Sequence, residues 1–163
     1  MSSLPTRILF LCGALACGTL FAPAAALAAD SGDAMAPYRA ALHGDLRQFY
    51  ADRLMLDNDE GEDFWPIYNE YAAKQKALDD RLFMLLQRYA NTYKQGPLSD
   101  KSAKPLIKEA MEIEQLDWEL REEMMKKARK ALSPFNAAKF YQIDNRIRTA
   151  ARYERALQVP LIN

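Results

Sequence analysis

The sequence predicts an all-α protein built from four helices. Apolar side chains recur three and four residues apart through two long segments, which is the helical period rather than the period of two that marks a strand. Three short segments also have the composition of helix N-termini, with Asp57, Ser99 and Ser133 at the capping position. Their side-chain oxygens can accept hydrogen bonds from the unpaired N–H groups of a first helical turn.

The N-terminal 29 residues have the pattern of a secretory signal peptide. Arg7 precedes an apolar run, and small residues follow, so that cleavage is expected after about Ala28 or Ala29. An alternative is a lipoprotein acylated at Cys17, because the residues before this cysteine faintly resemble a lipobox. We therefore expect an exported protein without a transmembrane segment in its mature chain. Residues 30–37 are predicted to be loose, and 38–163 to form one helical domain.

The first two helices are predicted over about 38–56 and 58–93. In the first helix, Leu42, Leu46 and Phe49 fall on one face. Gly96 and Pro97 end the second helix, since glycine favours the residue just past a helix and proline cannot continue one. The apolar stripe of the second helix has a near-heptad, coiled-coil-like spacing and comprises Phe64, Ile67, Tyr71, Leu78, Leu82, Leu85 and Tyr89.

The last two helices are predicted from about Asp100, or Ala103 if Ser102 is the cap, to Leu132, and from Pro134 to the residue before Pro160. Proline is favoured at a first helical position, where its missing N–H costs nothing. The inward side chains expected on these two helices are Leu106, Ile113, Leu120, Met124, Phe140, Ile143 and Ile147.

The two middle helices are too long for a compact domain of this size. At 1.5 Å per residue they would extend about 54 Å and about 45 Å. We therefore expect an antiparallel hairpin that projects from an elongated bundle. Apolar surface left uncovered at its end favours a homodimer or a surface that binds client proteins.

Charge is balanced overall, with 22 basic and 22 acidic residues, but it is not evenly distributed. Residues 126–155 contain nine basic side chains, opposed only by Asp144 and Glu154. One interpretation is an ordinary solvated helix face with i,i+4 ion pairs. The alternative is a cationic and apolar surface that binds clients, for which the candidate residues are Met124, Met125, Lys126, Lys130, Arg148 and Arg152.

The residues that most enzymes use are scarce. His43 is the single histidine, and both cysteines fall within the signal peptide. Three of the four remaining serines lie at or beside helix starts, so a nucleophile and a base are hard to pair. His43 has no partners at metal-ligand spacing, and the acidic run 57–63 departs from the spacing of a calcium loop. We expect no catalysis, no cofactor and no metal, and neither export nor the net charge favours a nucleic acid partner.

The helix starts resemble the Leu-Thr-x-x-Gln motif of the Spy/CpxP-like periplasmic proteins, with Asp or Ser in place of Thr. The segments 64–71 (FWPIYNEY) and 138–146 (AKFYQIDNR), with the closing Val159-Pro160-Leu161, resemble a mostly uncharacterised exported branch related to that family. The resemblance covers about residues 40–162. It implies a four-helix, cradle-like fold, dimerisation, and ATP-independent chaperoning or envelope-stress signalling.

From these features we expect a non-enzymatic periplasmic protein, chaperone-like, that binds exposed apolar or acidic segments of unfolded envelope proteins. Two alternatives remain. One is a regulatory or structural partner of a single envelope protein, and the other is a metal-binding resistance protein.

Overall fold

The computed structural model describes residues 33–161, and all regular structure within them is α-helical. The predicted signal peptide, its cleavage site and Cys17 lie outside these residues. Residues 33–161 form five helices rather than four, and their bounds are α1 Ala36–Ala41, α2 Leu46–Leu54, α3 Asn58–Lys94, α4 Asp100–Ala131 and α5 Pro134–Gln158. The all-α class is thus confirmed, and the predicted number of helices is wrong.

The extra helix arises because the first predicted helix is broken between Ala41 and Leu46. The backbone of Asp45 is extended, and its side chain accepts a hydrogen bond from the Gln48 N–H at 3.0 Å. Asp45 therefore caps a new helix, as an N-cap residue does. The break divides one predicted helix into α1 and α2.

The three predicted helix starts are confirmed. Asp57 accepts from the Glu60 N–H at 2.9 Å and caps α3, and Ser133 accepts from the Asn136 N–H at 3.4 Å and caps α5. Ser99 forms a reciprocal capping box with a second serine three residues later. These caps satisfy N–H groups that the helices cannot pair internally.

Helices α3 and α4 pack against each other, and their paired side chains extend from Glu70 to Arg88 on α3 and from Lys127 back to Glu109 on α4. In the pairs that join them, the residue numbers increase along α3 and decrease along α4, so the two helices run in opposite directions. The pairs are Glu70–Lys127 (3.1 Å), Lys74–Glu123 (3.8 Å), Gln75–Asp117 (3.0 Å) and Arg81–Glu109 (2.6 Å).

The hydrophobic core lies at one end of the α3–α4 pair, where α2 and the first half of α5 pack onto it. Phe64 and Phe140 are fully buried there, with ring centroids 5.2 Å apart. Toward the other end of the pair, Leu85 and Ile113 are the buried side chains of α3 and α4. The core thus covers one half of the pair and leaves the other half more open.

Helix α5 reaches that open half. Just beyond its end, the Pro160 carbonyl accepts a hydrogen bond from the Tyr89 hydroxyl at 2.6 Å. Within 33–161, no helix combines the length and apolar character needed to cross a membrane.

Candidate functional site: a cleft between α5 and the α3–α4 pair

A cleft of about 1030 Å³ lies between the α3–α4 pair, α5 and the turn that joins α1 to α2. Its volume is at the upper end of the range for protein ligand pockets. The walls are largely apolar, and the lining includes Leu78, Leu82 and Leu86 from α3, Ile113 from α4, and Ile147 and Ala151 from α5. The leucines recur every four residues and so form one stripe along α3.

Arg148 lines the cleft and links α5 to both long helices. Its Nη1 donates to the two carboxylate oxygens of Asp117 at 2.8 and 2.6 Å. Its Nη2 donates to the Tyr71 hydroxyl at 2.6 Å and to the Gln75 side-chain oxygen at 3.0 Å. These charge-assisted hydrogen bonds join α5 to α3 and α4, so Arg148 sets the position of α5 over the pair.

Behind Arg148 lies Asp144, a carboxylate that is only 3% exposed. It accepts hydrogen bonds from the hydroxyls of Tyr50 and Tyr71, both at 3.3 Å, and from the Arg121 Nε at 3.0 Å. Arg148 Nε is a further donor, at 3.2 Å. Since two arginines here face two aspartates, Asp117 and Asp144, the network is neutral and serves to hold the helices together.

Burial and neighbouring charge set the ionisation of this network. Burial, with the Asp144 charge in second place, raises the pKa of the Tyr50 and Tyr71 hydroxyls well above their usual value of 10.0. Burial also works to raise the pKa of Asp117, but the hydrogen bonds and charge of Arg148 outweigh it, and that pKa is lowered. At neutral pH the tyrosines are therefore protonated donors and Asp117 is an ionised acceptor.

Charged side chains of both signs line the cleft away from this network. Arg152 is 68% exposed, with its Nη2 3.9 Å from Asp117 Oδ2. The side chains of Arg155 on α5 and Glu114 on α4 line the cleft and make no hydrogen bond or ion pair with another residue of 33–161. These charges are available to a ligand.

The residues predicted from the sequence to bind clients do not form one surface. Met124 is 3% exposed and belongs to the core, so its side chain cannot contact a client while the fold is intact. Met125 packs half-buried against that core, whereas Lys126 and Lys130 are exposed at the core end of α4. Arg148 and Arg152 lie at the cleft.

The solvated-face interpretation is correct for part of the basic region. The expected i,i+4 pairs are present, with Lys126 Nζ 2.9 Å from Glu122 and Lys127 Nζ 2.8 Å from Glu123. Such exposed pairs contribute little to stability, typically about 0–1 kcal/mol.

A second apolar feature follows the outer face of α4, next to its cleft-lining residues. Ile107, Met111 and Trp118 are 59%, 64% and 63% exposed. They occur four and seven residues apart and therefore share one face of the helix. Exposed apolar side chains that share one helix face are typical of surfaces that bind other proteins.

No three His, Cys, Asp or Glu side chains of residues 33–161 are grouped so that they could hold a metal ion. His43 is exposed. Comparisons with protein-family models, with curated proteins and with solved structures found no match to this chain. The fold and the cleft therefore define an all-helical protein with a ligand-sized cleft, and function has to be argued from the cleft itself.

Proposed function

We propose that the protein is a non-enzymatic, chaperone-like protein of the periplasm that holds exposed apolar segments of unfolded envelope proteins without ATP. The observation that carries the proposal is the cleft, whose apolar walls and unpaired charges suit a polypeptide. The signal-peptide pattern of residues 1–29 supports export. The resemblance to the Spy/CpxP-like proteins agrees with both.

Binding by this route would combine two effects. Exposed positive charge attracts acidic clients over distance, because it steers encounter. Arg155 makes no ion pair with another residue of 33–161, and Arg152 is 68% exposed beside Asp117. The leucine stripe of α3 then retains apolar side chains, at about 25 cal/mol for each Å² of apolar surface removed from water. The first effect weakens as salt screens the charges, whereas the second does not.

The experiment is an aggregation assay with a thermally unfolding client enzyme, without ATP, at low and high salt. The mature protein should slow light scattering by the client, more strongly at low salt. Replacing both cleft arginines (Arg152→Ala with Arg155→Ala) should remove most of that salt dependence. No protection at several-fold molar excess would reject the function.

A matched variant tests the location of the site. Lys126→Ala with Lys130→Ala also removes two cations, but from the core end of α4. This pair should leave protection unchanged if clients bind in the cleft. If it abolishes protection while the arginine variant does not, clients bind at the surface first predicted from the sequence.

An elongated, cradle-like hairpin and a homodimer are parts of the same proposal. Two copies would place two clefts in one particle and cover part of the apolar face of α4. Small-angle X-ray scattering combined with light scattering on the mature protein measures both properties. A compact monomer at all concentrations would contradict the elongated shape and the homodimer, but not client binding in the cleft.

The exposed Trp118 favours a second function, that of a regulatory or structural partner of one envelope protein. Tryptophan is enriched among the residues that dominate binding energy at protein interfaces. This function predicts one stoichiometric partner whose binding is lost in Trp118→Ala, with no general protection from aggregation. Protection that survives Trp118→Ala favours the first function.

A further inference from the structure

The dimensions of the cleft limit the length of a bound chain. Its α3 wall runs from Tyr68 to Leu86, which corresponds to about 27 Å at 1.5 Å per residue. An extended segment of about eight residues spans this distance, at about 3.4 Å per residue.

The leucine stripe has a spacing that suits an extended chain. Leu78, Leu82 and Leu86 follow one another at intervals of four residues, or about 6 Å along the helix. In a strand, side chains on the same face are two residues apart, or about 6.7 Å. Alternate side chains of an extended segment can therefore contact successive leucines.

Polar side chains along the cleft match the needs of an extended backbone. Such a chain brings N–H and C=O groups that must find partners once they leave water. Asn69, Glu114 and Arg155 line the cleft at different points, and their side chains make no hydrogen bond with another residue of 33–161. They offer donors and acceptors along its length.

The distribution of charge also favours a peptide over a fatty acid as the ligand of the cleft. A fatty acid needs one cationic end and an uninterrupted apolar tunnel. Here acidic Asp79 and Glu114 line the cleft as well as basic Arg152 and Arg155, so both signs occur beside the apolar walls. This pattern suits a polypeptide, which carries polar groups at every residue.

We infer that the cleft binds an extended polypeptide segment of about eight residues in which apolar side chains alternate with polar ones. The length follows from about 3.4 Å per residue over the α3 wall. The inference rests on the proposed function and adds the conformation and pattern of the segment. Proteins unfolded from β-strand regions expose such segments, because strands alternate in this way.

The test measures fluorescence anisotropy of two labelled peptides with the mature protein. The first alternates leucine and serine over about eight residues. The second has leucines at helical spacing, with α-aminoisobutyrate between them to hold a helix. We expect the alternating peptide to bind at least about tenfold more tightly, which is a difference of about 1.4 kcal/mol.

Two variants locate the binding. Ala151→Trp fills the cleft from α5 and should weaken binding about tenfold or more, whereas Ala138→Trp, at an exposed position of the same helix, should not. Leu82→Asp places a charge on the opposite wall and tests the same point if the tryptophan variant folds poorly. Equal binding by both tryptophan variants, with Leu82→Asp unchanged, overturns the inference.

The remaining outcomes separate this inference from the function on which it rests. Equal or tighter binding of the helical peptide, together with protection from aggregation, overturns the extended-chain inference and leaves the function standing. Saturable binding of dodecanoate with no binding of the alternating peptide also overturns it. If neither peptide binds and aggregation is not slowed, both are wrong.

Discussion

The buried carboxylate of Asp144 provides the sharpest test of how the helices are held together. Replacing it with alanine removes the acceptor shared by two tyrosine hydroxyls and two arginines. The side chains of Arg121 and Arg148 are only 16% and 14% exposed, so water cannot easily take the place of the lost carboxylate. Arg121 loses its ion-pair partner, and Arg148 keeps Asp117.

Asp144→Ala should lower the free energy of unfolding by about 3–5 kcal/mol, which is the range for breaking a buried ion pair by removing one partner. Tyr50→Phe removes one neutral donor from the same carboxylate and should cost less, about 0.5–1.5 kcal/mol. Asp80→Ala is the matched control, because its ion pair with Lys76 lies between side chains that are 67% and 74% exposed. This change should stay within about 0.5 kcal/mol.

The assay is urea unfolding followed by far-ultraviolet circular dichroism, with the free energy of unfolding taken by linear extrapolation. The reasoning predicts the order Asp144→Ala, Tyr50→Phe, Asp80→Ala from largest to smallest loss. A loss below about 1 kcal/mol for Asp144→Ala would refute the role given to the network. So would an equal loss for Asp144→Ala and Asp80→Ala.

Two further predictions follow from burial and from capping. Burial raises the pKa of Tyr50, Tyr68 and Tyr71, so above about pH 10 the unfolded chain releases protons that the folded chain keeps. Their contribution to stability is therefore complete below that pH and declines above it. Urea midpoints should fall between about pH 9 and 11, and a constant midpoint would contradict this. Ser133→Ala removes the cap of α5 and should cost about 1 kcal/mol in the same assay, whereas Ser133→Thr, which can still cap and adds no charge beside Glu60, should cost much less. Equal losses for the two Ser133 variants would contradict the capping argument.

Local features of the fold were predictable because they depend on neighbouring residues. A cap such as Asp57 acts on an N–H three positions later, so its sequence signal is complete within one turn. The same signal was present at Asp45 with Gln48, and it was missed. Leu42, Leu46 and Phe49 keep the helical period across the break, so the period predicts one continuous helix where the structure has two.

The candidate site was less predictable because its contacts join distant parts of the chain. Asp144 looks like a solvated acid among basic residues, yet its tyrosine partners are 94 and 73 residues away. Periodicity also reports which face of a helix is apolar without reporting what covers it. Leu82 and Leu85 belong to one predicted stripe, but Leu85 is buried at 4% exposure whereas Leu82 lines the cleft.

Site-specific photocrosslinking tests most directly whether clients occupy the cleft. A benzoylphenylalanine residue would replace Leu82 on the cleft wall or, as the control, Asn91 at an exposed position of the same helix. Each protein is irradiated while a client unfolds. We predict a covalent adduct with the client from position 82 and none from position 91. Adducts from position 91 alone, or equally from both positions, would contradict the account.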